Sequence, residues 1–166
     1  MATLSLGMIK MVVNYAAIEQ KEDWTDYTYS IRLFVKDFPL FSEQIENEML
    51  TKGGLIITTS DDGDRLLDVF KKITNEDTPI GAEELFCSEV DSPQLILIQA
   101  YKKPFPNTNN KILQYGIKIE LESETFYNKT STGKITLETM SFKTDEMLNF
   151  VKEMEAEKAQ ILTGKQ

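Results

Sequence analysis

Leu113-Gln114-Tyr115-Gly116-Ile117-Lys118-Ile119-Glu120-Leu121-Glu122 is the stretch whose reading decides the fold. Leu113, Tyr115, Ile117, Ile119 and Leu121 fall on one face, and Gln114, Lys118, Glu120 and Glu122 on the other. Period two with aromatic and β-branched residues describes a strand with one face in a core and one in water. The same alternation occurs earlier, where Tyr27, Tyr29, Ile31, Leu33 and Val35 face one way and Thr28, Ser30, Arg32 and Lys36 the other.

Working outward, each alternating strand is followed by a second strand, Leu55–Thr59 in the first case and Lys134–Phe142 in the second. Gly53-Gly54 and Thr132-Gly133 read as turns into these strands. An amphipathic helix then follows in both places. Leu66, Val69, Phe70 and Ile73 recur at helical spacing after Ser60 or Asp61 as cap, and Met147, Phe150, Val151 and Met154 share a face after Thr144 as cap. The methionines on that stripe read as core packing. Further strands are expected over Met8–Ile18, Glu84–Glu89 and Leu95–Tyr101. Trp24 sits at the end of a polar turn and Phe38–Phe41 is a local apolar segment.

Strands punctuated by two helices predict an α+β fold with a largely antiparallel sheet and two amphipathic helices. No linker divides the 166 residues, so one domain is expected, with pseudo-repeated strand-strand-helix halves at 8–80 and 84–162. Met8 is a plausible second start, which would make Met1–Gly7 a dispensable leader.

Composition removes most catalytic inventories. There is no histidine and one cysteine, Cys87, so imidazole triads, Cys–His pairs and thiolate zinc sites have no residues to draw on. The eight glycines form no phosphate-binding loop. Carboxylate chemistry remains as the alternative, and it would require two acids sharing a cleft. Asp61-Asp62-Gly63-Asp64 lacks the alternating spacing of a calcium loop and reads better as acids at a helix N-terminus. The reading is therefore of a chain that is not an enzyme and takes no cofactor or metal. The lone thiol, the absence of a long apolar run and the absence of a basic leader read as cytoplasmic with no membrane span.

With 18 basic against 27 acidic residues the net charge is −9. That disfavours a phosphate backbone and favours a protein partner with a basic surface. Candidate contact residues are the exposed-looking acids Glu43, Glu46 and Glu48, then Asp61, Asp62 and Asp64, and Glu83 with Glu84. For each of these acids the solvated surface group that keeps the chain soluble is the favoured reading over a contact residue. Trp24 is the candidate aromatic anchor if it lies on the surface; otherwise it covers an edge of the core.

The order of elements resembles that of WapI-type bacterial toxin immunity proteins. The resemblance is carried by a strand ending in Thr58-Thr59-Ser60 that feeds the helix Asp64–Ile73, then by Leu85-Phe86-Cys87-Ser88-Glu89. Ser92-Pro93-Gln94-Leu95 follows, leading into an apolar strand, then the strand Tyr115–Leu121 and a final strand entering the helix Asp145–Glu157. It spans roughly residues 26–160, and this chain departs from it in having no tryptophan in the first helix. The resemblance implies neutralisation of a toxin by tight stoichiometric binding, with no catalytic residue or cofactor. The alternative is a phage or mobile-element protein, either an anti-defence inhibitor or an oligomeric structural or assembly subunit.

Overall fold

The structure, a computed structural model, describes residues 1–44, 50–87, 96–122, 134–142 and 144–164. Within them the chain runs β1 (Ala2–Leu6), β2 (Ile9–Gln20), β3 (Thr25–Val35), β4 (Phe38–Pro39), β5 (Leu50–Thr51), β6 (Gly54–Asp61) and α1 (Arg65–Thr74). It continues as β7 (Glu83–Cys87), β8 (Ile96–Pro104), β9 (Leu113–Glu122), β10 (Lys134–Ser141) and α2 (Thr144–Gly164). The fold is α+β and every strand pair is antiparallel.

There are two sheets, where the sequence suggested one. The first has the order β1-β2-β3-β6-β5, with β4 appended to β3; the second has the order β10-β9-β8-β7. The alternation of β3 and β9 is realised as expected. Tyr27, Tyr29, Ile31 and Leu33 point into the core from one sheet, and Tyr115, Ile117, Ile119 and Leu121 from the other. The two inward faces and both helices contribute to one hydrophobic cluster.

The halves share a plan, but it is longer than strand-strand-helix. Each is a four-stranded meander followed by a helix: β1, β2, β3, β6, α1, then β7, β8, β9, β10, α2. The first half therefore begins before residue 8. Ala2, Leu4 and Leu6 are fully buried in β1, which pairs with β2 from Ala2↔Val13 to Leu6↔Ile9, so Met1–Gly7 is no dispensable leader. Alternation in this short segment was masked by Met8, which sits exposed in the tight turn rather than inside a strand.

The helices are exchanged between the halves. α1 packs on β7 and β8, while α2 lies along β1 and β2 with a smaller contact on β9. They meet at Phe70 and Phe150, whose rings stand edge to face with centroids 4.9 Å apart. Lys102, a buried β8 residue, donates to the carbonyls of Thr78 (3.0 Å) and Asn75 (3.4 Å) just past the end of α1, where cations suit the helix dipole. At the edge of the first sheet, Glu153 of α2 accepts the Thr3 amide (2.7 Å) and Glu157 accepts that of Tyr15 (3.2 Å). These carboxylates satisfy strand donors that would otherwise face outward.

Candidate functional site

The features with most capacity for recognition gather where the β2–β3 hairpin tip meets the β6–α1 turn. Between β2 and β3 the chain reverses over Lys21–Trp24, closed by the Lys21 amide donating to the Trp24 carbonyl (2.8 Å). The tip and the following turn enclose an open concavity of about 300 Å³, lined by Gln20 to Thr25 and by Asp62. Trp24 is 46% exposed, so it does not seal the core. Its indole is nonetheless fixed, because Nε1 donates to Asp26 Oδ1 at 3.0 Å. The same carboxylate oxygen accepts from Ser60 Oγ at 2.6 Å, across the β3–β6 ladder.

Charge around the indole is predominantly negative. Glu22, Asp23 and Asp62 line the concavity with Lys21 as the one basic lining residue, and Lys21 is itself paired with Glu19 at 3.2 Å. Asp61 flanks it, half-exposed and 3.5 Å from Arg65. Two of the expected contact residues, Trp24 and Asp62, are thus brought to one surface, with Asp61 beside them.

Asp64 is a correction. It is 2% exposed and belongs to the interior, so it is not part of an acidic contact surface. It also caps α1 in place of Ser60 or Asp61, both of which lie in β6. Its Oδ1 accepts the Leu67 amide (3.1 Å) and the Tyr29 hydroxyl (2.5 Å), and its Oδ2 accepts the Tyr15 hydroxyl. Lys158 of α2 brings its ammonium to 3.7 Å from Oδ2 and 5.1 Å from the centroid of the Tyr27 ring. Burial, then the adjacent carboxylate, pushes the Tyr15 and Tyr29 phenols well above their ordinary range, so both stay protonated donors. The knot joins β2, β3, α1 and α2, and its Asp64 follows Asp62 of the concavity by two residues. A signal for it lies in the sequence. Tyr15 and Tyr29 face a core, and buried phenols need an acceptor.

The remaining expected residues are scattered. Glu43 is exposed beside Gly53, just before the start of β6, whereas the hairpin tip adjoins the other end of that strand through Thr25↔Asp61. Glu46 and Glu48 lie outside the described residues. Glu83 and Glu84 lie in β7, where Glu83 accepts from Gln99 Nε2 (2.9 Å) and Glu84 sits 3.8 Å from Lys72. Sequence reasoning missed Asp26, whose role as a bracket for the indole depends on cross-strand register with Ser60. Among the described residues no group of three or more acids or thiols is placed to hold a metal ion. No helix among them is long and apolar enough to cross a membrane. Comparison of the chain with protein-family models, curated proteins and solved structures found no match.

Proposed function

We propose that this chain is a non-catalytic binding protein that neutralises a protein partner with a basic surface, in the manner of an immunity-type inhibitor of a toxin. The observation that carries the reading is the Trp24 corner: an exposed indole locked by Asp26 and rimmed by Glu22, Asp23 and Asp62. An aromatic already held in place loses little freedom on binding, which is what makes such residues anchors. The acids around it would speed encounter with a cationic patch and reject an anionic one. The net charge of −9 and the resemblance of the sequence pattern to WapI-type immunity proteins support the same reading, as does the cytoplasmic setting inferred from a single cysteine.

Trp24 is the chain's single tryptophan, so its fluorescence reports on this corner alone. The test is capture of partners on the immobilised chain at low and high salt, repeated with Trp24→Ala and with Asp62→Lys. A basic protein retained by the parent chain at low salt, released by both variants, and shifting Trp24 emission to the blue supports the proposal. Retention of the same proteins by parent and variants, indifferent to salt, overturns it.

A further inference from the structure

Sheet edges differ in how they are finished. The β1 edge is covered by α2, whose Glu153 accepts the Thr3 amide, with Glu157 capping Tyr15 of β2 beyond the end of β1. β6 carries β5 across its first residues and turns into α1 at its last. β7 is short and bears Glu83 and Glu84, charges that discourage a second strand from pairing with it. β10 is finished differently, with charges of opposite sign, Lys134 and Glu138, four residues apart on one face. It ends the second sheet, and among the described residues no strand pairs with its outer edge. No residue of β10 is buried; Ile135 and Leu137 reach the core cluster only in part. Its inner face meets the first sheet at Thr139, which lies against Gly7 in the β1–β2 turn, while its hydrogen-bonding edge carries no described strand.

We infer that the β10 edge pairs with the β10 edge of a second copy of this chain, antiparallel about a two-fold axis beside Thr136. Residues directly opposite in an antiparallel pair share a face, so only registers of matching parity are allowed. A two-fold at Glu138 would set two carboxylates against each other. A two-fold at Leu137 would set Lys134 against Met140 and Thr136 against Glu138. With the two-fold at Thr136, Lys134 faces Glu138 twice, Ile135 faces Leu137 twice on the core side, and the threonines meet at the centre. Charge and apolar matching coincide in that register, and the joined sheet has eight strands, twice the four of one copy. The contact is isologous and closes on itself, so it gives a dimer and not a filament.

The experiment is sedimentation velocity of the full chain over a wide concentration range, with Lys134→Glu, Glu138→Lys and the double swap compared. Circular dichroism and melting of each variant confirm that it folds. A concentration-dependent dimer is expected, whose dissociation constant rises about tenfold in either single variant, where like charges oppose twice. The double variant restores the parent value. A chain that stays monomeric at its highest soluble concentration overturns the inference, as does a dimer with one dissociation constant across all variants. A monomer whose β10 amides gain protection only when a partner protein binds also overturns it, and assigns the edge to a partner strand. None of these residues lies in the Trp24 corner, so failure here is separable from failure of the proposed function.

Discussion

The two halves reach the same corner by the same route and finish it with opposite chemistry. In the first half the β2–β3 tip meets the β6–α1 turn as a single indole among acids. In the second, the β8–β9 tip meets the end of β10 as an apolar cluster. Phe105 and Phe142 stand edge to face with centroids 4.8 Å apart, and the Phe105 amide donates to the carbonyl of Ile112 (2.8 Å). Lys103 lies two residues before this cluster, its ammonium over the ring of Tyr101 (4.6 Å). The first tip is a four-residue reversal and the second a longer loop with Pro106 and with Asn107, Asn109 and Asn110 at positive φ, a region asparagine tolerates better than most residues. A shared backbone plan therefore fixes where a corner lies and leaves its recognition chemistry to a few side chains.

The largest expected effect comes from the buried Asp64 knot, which enters α1 two residues after Asp62 of the first corner. Asp64→Ala should strand two buried phenols, the α1 amide and Lys158, at a cost of about 3–5 kcal/mol. The melting temperature should fall by roughly 10 °C. A drop of only a degree or two would mean that the knot is not what holds the corner. Next in size, Trp24→Ala should weaken partner binding about 30-fold or more while shifting stability by less than about 0.5 kcal/mol. Phe142→Ala is the matched control: about 1 kcal/mol of stability lost with the edge-to-face pair, and binding of that partner unchanged. If Phe142→Ala abolished binding and Trp24→Ala did not, the assignment of the two corners would be reversed.

The smallest effect is titrational. Burial, with Glu138 as hydrogen-bond partner at 3.1 Å, pushes the Tyr101 phenol up to about 12. Its ring lies across Gly116, where any side chain would collide with it. Above a pH of about 10 the unfolded chain gives up phenolic protons that Tyr101, Tyr15 and Tyr29 retain when folded. The unfolded state then binds fewer protons, so stability falls as pH rises. Urea midpoints measured from pH ~9 to ~11 should show this decline, and it should be shallower by a similar amount in Tyr101→Phe and in Tyr29→Phe. Parallel profiles for all three proteins would show that these phenols ionise without cost.

What the sequence disclosed follows from the range of the forces involved. β3 and β9 were legible because their alternation is local, and so were the apolar stripes of α1 and α2. β1 was not, because five residues broken by a turn carry too little periodicity to separate from the run that follows. The cap of α1 was displaced by three or four residues because several polar and acidic residues before the helix satisfy the same rule. Only the Tyr15 and Tyr29 hydroxyls, supplied by distant strands, select Asp64. Trp24 and Asp62 were each legible as candidates, but their proximity is a product of hairpin register. The exchange of helices left no local mark at all, since each stripe is apolar whichever sheet it covers.

That exchange bears on how the chain is made. A ribosome delivers α1 well before β7 and β8, so the stripe of Leu66, Val69, Phe70 and Ile73 must wait in solvent or in a chaperone's keeping until some thirty further residues emerge. Cleavage within Asn75–Ala82 would leave two fragments, each holding the helix the other needs. Each fragment alone would leave an apolar stripe uncovered, and a folded body would require the two together.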